Sequence, residues 1–221
     1  MSGLVLSLCD RTGVMVEPWL EAGFRCMIVD TRHPPGATQD GLLTRVGADV
    51  RGWLPPRTEY GFVAAFPPCT HLAKSGARWF KDKGLAALIE GLEVVEACRR
   101  ICEWTGAPWM LENPSGSIST YWRKPDHTFD PCHYGGYLDP PDDAYTKLTC
   151  LWTGGGFVMP ERRPVEPVEG SKMHLVGPGP RRSDIRSVTP AGFARAVFEA
   201  NGPNRADLLA AAPLLGEGGG A

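Results

Sequence analysis

The chain reads as an α/β protein: a Rossmann-like, mostly parallel sheet with helices on both faces, plus a small irregular C-terminal extension. Three observations predict this. Short apolar runs alternate with helix-like segments through the first half of the chain, the pattern of parallel strands joined by crossovers. Several runs are apolar at successive positions rather than at every second one, which suits strands covered on both faces. Each run also stops abruptly at polar residues or prolines, so polar cargo is delivered at strand ends, the edge at which open α/β sheets bind ligands.

In order, Leu4–Leu8 is the first strand and Cys9-Asp10-Arg11-Thr12-Gly13 a tight polar turn. Val14–Ala22 reads as a helix with Pro18 near its first turn and Gly23 as its cap, glycine being the residue that tolerates the left-handed conformation there. Phe24–Val29 is the second strand, ended by Asp30. In such folds a carboxylate at that tip accepts hydrogen bonds from ribose hydroxyls, although a plain surface turn would explain a lone aspartate as well. The turn is not G-x-G-x-x-G, so a dinucleotide fingerprint is absent. Residues 32–56 are loop-rich, with a possible short strand near Ala48-Asp49-Val50.

Phe62–Ala65 is a buried strand that runs into Phe66-Pro67-Pro68-Cys69. Neither proline nitrogen can donate to a ladder, so Cys69 is delivered on a stiff turn at a carboxyl end. Gly84–Trp104 is the strongest helical segment, with Leu85, Leu88, Ile89, Leu92, Val95 and Ile101 largely on one face, as expected of a helix laid on a sheet. Trp109-Met110-Leu111 is a short strand ending in Glu112-Asn113-Pro114. Tyr121–Tyr145 is aromatic and rich in proline and aspartate, Thr146–Trp152 alternates like a strand, and residues 160–180 form a long loop. Thr189-Pro190 starts a last helix, Thr as N-cap and Pro at the first position, with Phe193 and Val197 inward. The expected organisation is one domain over 1–200, with an irregular insert at about 118–182, and a C-terminal segment over 201–221.

The 221 residues, 43% of them hydrophobic, are enough for a sizeable core. A net charge of −2 gives no global attraction to nucleic acid, so any such contact needs a local basic patch. The one such zone is Arg162, Arg163, Lys172, Arg181, Arg182 and Arg186; a solvated loop explains it equally well. Seven cysteines without a regular framework read as reduced thiols of a cytoplasmic protein. No apolar run reaches the length of a membrane span. His127, Cys132, His133 and Cys150 match no familiar zinc spacing, so no metal is expected.

The ordered set of motifs resembles the DNA cytosine-5 methyltransferases. Leu8-Cys9-Asp10-Arg11-Thr12-Gly13 stands where that family has its glycine-rich cofactor turn, and Asp30 matches the acidic end of its second strand. Phe66-Pro67-Pro68-Cys69 matches its Pro-Cys motif, Glu112-Asn113-Pro114 its Glu-Asn motif, and Arg186-Ser187-Val188-Thr189-Pro190 its late Arg-x-x-Thr-Pro helix start. The resemblance is to a small, phage-like branch, with Lys147–Trp152 as a further feature. It implies S-adenosylmethionine as cofactor, held by Asp10, Thr12, Gly13, Asp30 and Pro67, with Cys69 and Glu112 catalytic and Pro68, Asn113, Arg78 and Arg186 at the substrate. Two departures stand out: only Gly13 remains of the usual glycine pattern, and the interval before Arg181 is too short for the family's target-recognition domain.

The chemistry needs these residue types. Carbon 5 of a pyrimidine is a poor nucleophile, and a thiolate adding to carbon 6 makes the ring an enamine, splitting a hard step into easier ones. The thiolate is favoured by nearby cations or helix ends; His71, Lys74 and Arg78 follow Cys69 in sequence. An acid must meet the ring nitrogen, and a carboxyl such as Glu112 in an apolar strand-end site can hold its proton near neutral pH. The expected substrate is cytosine in DNA, flipped out of the duplex. The alternatives are a free pyrimidine nucleotide such as dCMP, and a non-catalytic relative that only binds nucleotides or nucleic acid.

Overall fold

The order of the strands explains where ligands can enter. The computed structural model describes residues 3–171 and 188–203. Its strands are β1 (Leu4–Leu8), β2 (Cys26–Val29), β3 (Gly36–Asp40), β4 (Leu43–Gly47), β5 (Tyr60–Ala65), β6 (Trp109–Pro114), β7 (His127–Phe129) and β8 (Thr149–Gly154), in one sheet of order β3-β4-β2-β1-β5-β6-β8-β7. β4, β2, β1, β5 and β6 pair in parallel; β3 is antiparallel to β4, and β8 is antiparallel to both β6 and β7. The chain moves outward from β1 to β2 and β4, then returns to β5 on the other side of β1. The loops after β1 and β5 therefore part in opposite directions, and such a reversal opens a crevice at the carboxyl ends of the strands.

Alternate side chains of each strand feed two cores. Leu4, Leu6, Leu8, Val63 and Ala65 pack with Val95, Cys98, Ile101 and Cys102 of α2 (Phe80–Thr105). Val5, Ile28, Phe62, Ala64 and Met110 face Trp19 of α1 (Glu17–Glu21) and Phe193, Ala194 and Val197 of α4 (Ala191–Asn201). Helices thus lie on both faces, as the apolar runs predict. A one-turn α3 (Ile118–Tyr121) follows β6. No helix of the described residues is long and apolar enough to cross a membrane.

Several local expectations are corrected. The segment expected to be loop after Asp30 holds the β3–β4 hairpin; every β3 residue is exposed, so no apolar alternation marked it. The expected strand near Ala48 is absent, because β4 ends at Gly47. The expected Val14–Ala22 helix is split into a 3-10 turn, Val14–Val16, and α1, with Pro18 in the first turn of α1, where its missing N–H costs nothing. In α2, Gly84 breaks the helical path with φ 73° and ψ −176°, and Leu85 and Ile89 beyond it are 70% and 48% exposed rather than inward. The buried face is instead Gly91, Val95, Ala97, Cys98, Ile101 and Cys102. The N-cap of α4 is Pro190, not Thr189; the cap is supplied from afar, since the Gly192 N–H donates to Asp143 Oδ2 at 2.8 Å.

Candidate functional site

The β5–β6 register sets the geometry. Ala65 pairs with Leu111, so Phe66 and Pro67, just past the end of β5, lie beside Glu112 and Asn113, which the expected three-residue strand left out but which continue β6 against β8. Asn113 is buried and its Nδ2 donates to the Pro67 carbonyl at 2.7 Å. The two loops are then laced together: the Lys74 N–H donates to the Ser115 carbonyl at 2.8 Å and the Ser117 N–H to the Leu72 carbonyl at 2.9 Å. Gly116 is required by this approach, because a Cβ there would lie 2.0 Å from the Leu72 oxygen. Within the Pro-Cys loop the Cys69 carbonyl accepts from the Leu72 and Ala73 N–H groups at 3.0 and 2.9 Å. Lys83 Nζ donates to the Thr70 carbonyl at 2.6 Å, placing a cation on the loop that carries Cys69.

Glu112 points to the α4 face. It lines a narrow cleft with Phe66, Phe129, Lys147, Thr149, Val188, Thr189, Pro190 and Phe193 whose free volume is only about 10 Å³. Its buried Oε1 has no hydrogen-bond partner. Burial pushes its carboxyl above the usual range, and the Lys147 charge pulls it partly back. An apolar pocket that keeps a carboxyl protonated makes it a proton donor.

Cys69 is exposed on the loop that continues from Phe66 and does not itself line the Glu112 cleft. The fold therefore brings thiol and acid to neighbouring strand ends without seating both in one cavity. The other thiols suit packing better: burial pushes Cys26 up to about 12 and Cys102 higher still, and Cys98 is raised by the adjacent Cys9 thiol and by burial. A protonated buried thiol is a poor nucleophile.

The turn after β1 is organised by Asp10, which is 4% exposed. Its Oδ1 accepts from the Gly13 N–H at 2.7 Å and the Thr12 N–H at 3.0 Å, and Ser7 Oγ donates to Oδ2 at 2.7 Å. The carboxylate thus shapes its own turn. Gly13 has φ 80°, a left-handed conformation that favours glycine, while a Cβ there would make only ordinary contact with Ile28 at 3.4 Å. Asp30 stands at the end of β2 and accepts from the Arg32 N–H at 2.8 Å. His33 Nε2 lies 3.1 Å from the Asp10 carbonyl and ties the two loop ends together. A cofactor with a ribose and a short charged tail fits this crevice chemically: a carboxylate at the β2 end and a cradle kept clear of side chain at Gly13.

Other expected residues are more dispersed. Thr12 and Pro68 are exposed at the rims of their loops. Arg78 is exposed and lies over the Trp79 ring, 5.1 Å from its centroid, away from the cleft. Arg186 lies outside the described residues, as do Lys172, Arg181 and Arg182. His133 Nδ1 accepts from the Asp130 N–H at 3.2 Å as part of a capping box, and no group of three or more His, Cys, Asp or Glu side chains among the described residues is arranged to hold a metal. In the sequence Lys147 and Thr149 read as part of a strand and family feature and Thr189 as a helix start, none of them as site residues, and nothing singles out His33 and Lys83. Only the pairing of β8 with β6, which sets Thr149 opposite Pro114, brings the first two to Glu112, and no local signal announces that pairing.

No family model matches the chain, and no curated protein matches it. Among solved structures it is similar to the glycopeptide N-methyltransferase MtfA. In the complex with S-adenosyl-L-methionine the identity is 14% and the TM-score 0.28, over 59% of this chain and 53% of that one. In a second MtfA structure the identity is 14% and the TM-score 0.30, over 76% of this chain and 69% of that one. The chain thus spans about half the length of the first of these. A superposition this loose leaves the chemistry to be argued from the chain's own residues.

Proposed function

We propose that the chain is an S-adenosylmethionine-dependent methyltransferase acting on carbon 5 of cytosine in DNA through a covalent Cys69 adduct. The observation that carries this is Glu112: a half-buried residue whose Oε1 is buried without a hydrogen-bond partner and whose pKa burial raises, beside the strand end that leads to an exposed cysteine. In this reading the loop carries the Cys69 sulfur onto carbon 6 of the ring while Glu112 gives its proton to the ring nitrogen. Carbon 5 becomes the nucleophile; once it carries the methyl group its proton passes to water, the C6–S bond breaks to release the Cys69 thiolate, and the ring nitrogen returns its proton to Glu112. S-adenosylmethionine, when bound in the β1–β5 crevice, supplies the electrophilic methyl group. The turn held by Asp10 orients it, and Asp30 meets its ribose.

The DNA reading is supported by a basic, aromatic surface beside the Cys69 loop. Lys74, Arg78 and Lys81 are exposed there, with Trp79 51% exposed among them. Cations with an exposed ring suit a phosphate strand and its bases. The narrow cleft and the net charge of −2 favour the second reading, a free nucleotide such as dCMP.

The test supplies labelled S-adenosylmethionine with DNA and, separately, with dCMP, and traps the adduct on DNA carrying 5-fluorocytosine. Label in DNA and a trapped Cys69 peptide support the proposal. Label in dCMP alone removes the DNA substrate. No label and no S-adenosylmethionine binding leave the non-catalytic relative.

A further inference from the structure

A second pair of sulfurs lies at the cofactor turn, outside the chemistry above. Cys9, at the end of β1, and Cys98, in the middle of α2, have their Sγ atoms 3.8 Å apart. Cys9 is half-buried, whereas Cys98 is 0% exposed. Cys9 also has φ 54°, the left-handed region that residues with a side chain rarely occupy. It is followed directly by Asp10, whose carboxylate holds the Thr12 and Gly13 amides.

We propose that Cys9 and Cys98 are a peroxide-oxidisable dithiol whose disulfide disorganises the Asp10 turn and so closes the cofactor crevice. The coupling to cofactor rests on the function proposed above; the disulfide does not. The half-buried Cys9 is the thiol a small oxidant reaches. Its sulfur attacks one oxygen of hydrogen peroxide, the O–O bond breaks, and the departing hydroxide leaves as water once protonated. The resulting sulfenic acid on Cys9 is attacked by the Cys98 sulfur; the S–S bond forms, the S–O bond breaks and a second water leaves. Two electrons pass from the thiols to the peroxide, and a dithiol reductant reverses the reaction.

Geometry makes Cys98 the resolving partner. A disulfide needs its sulfurs at about 2.05 Å, so the pair must close by about 1.8 Å from the 3.8 Å observed. α2 is packed into the core through Val95, Cys98, Ile101 and Cys102, while the strained Cys9 is the first residue past β1. The movement therefore falls on the β1 end. Cys9 is drawn toward α2, and the turn anchored on Asp10 moves with it. The adjacent Cys9 thiol and burial hold Cys98 above the usual thiol range, so its attack on the sulfenic acid is the slow step, aided by the close approach of the two sulfurs.

The experiment treats the full chain with hydrogen peroxide, blocks remaining thiols with N-ethylmaleimide, maps non-reduced peptides by mass, and follows amide exchange over residues 10–13. The expected result is a Cys9–Cys98 linked pair, removed by dithiothreitol, and about tenfold faster exchange of the Thr12 and Gly13 amides in the oxidised chain. Binding of S-adenosylhomocysteine should weaken about tenfold. Cys98→Ser and, independently, Cys9→Ser should show neither change after peroxide. The proposal is overturned if peroxide doses that oxidise Cys69 give no Cys9–Cys98 link, if Cys9 links to Cys102 instead, or if the link forms with exchange unaltered. A reduced chain that binds no S-adenosylhomocysteine would remove the methyltransferase reading, while linkage and exchange would still decide this one.

Discussion

Asn113 Nδ2 donates to the Pro67 carbonyl at 2.7 Å, so the residue after the candidate acid grips the residue that begins the Pro-Cys turn. This contact, with the Lys74–Ser115 and Ser117–Leu72 backbone bonds, couples the loops that carry Cys69 and Glu112. Asn113→Ala leaves a buried carbonyl without its donor and should cost about 1–3 kcal/mol. Asn113→Asp should be worse than Asn113→Ala, since an acceptor would then face the carbonyl. Denaturant unfolding and adduct trapping on 5-fluorocytosine DNA check both effects.

Gly116→Ala tests the lacing of the loops. The added methyl meets the Leu72 oxygen at 2.0 Å, an approach no backbone carbonyl tolerates. The Cys69 loop should be displaced and adduct formation lost, with the β1 turn intact. Binding of S-adenosylhomocysteine by calorimetry should stay within about twofold of wild type.

Glu112 makes stability depend on pH in an unusual direction. Its folded pKa is raised, so above the unfolded value of about 4.3 the folded state holds a proton that the unfolded state has released. Stability contributed by this group is therefore full below that value and falls as pH rises toward the folded pKa. Glu112→Gln should remove this slope and be at least as stable as wild type at neutral pH, yet form no methylated product. Parallel urea titrations from pH 4 to pH 8 would show the difference in slope, about zero for the variant at this site.

Lys147 pulls the Glu112 pKa down. Lys147→Met should let it rise further, so the alkaline limb of the rate profile, where the acid is lost, should move to higher pH. A profile that keeps its limb would show that Lys147 does not act on Glu112.

Asp10→Ala removes a carboxylate that serves Ser7, Thr12 and Gly13. A loss of about 3 kcal/mol is expected, the range for a buried, hydrogen-bonded charge. Asp10→Asn, which keeps one acceptor oxygen, should recover part of it. Thermal unfolding of both variants is the check.

Much of this was legible in the sequence because buried strands advertise themselves. β1, β2, β5 and β6 are apolar and end in polar cargo, so the placing of Asp10, Asp30, Cys69 and Glu112 at carboxyl ends followed from local pattern. What failed was whatever depends on distant partners. β3 carries no apolar face because nothing among the described residues covers it. The phase of α2 was misread because Leu85 and Ile89 mimic a buried stripe just past the Gly84 break. Lys147 and Thr149 reach Glu112 only through β8, and Thr189 only through the packing of α4. Asp143, which caps α4, sits in a segment whose composition suggests only an irregular insert.

Among the described residues β7 pairs only with β8, which itself lies between β6 and β7. A nascent chain emerging from the ribosome has therefore made His127–Phe129 well before there is any place in the sheet to hold it. That edge, and the cleft walled by Phe129, Lys147, Thr149 and Phe193, can form only after later segments arrive. The Asp10 turn is held by hydrogen bonds within residues 7–33, so a chain made from its N-terminus can shape that turn before the cleft around Glu112 is walled in.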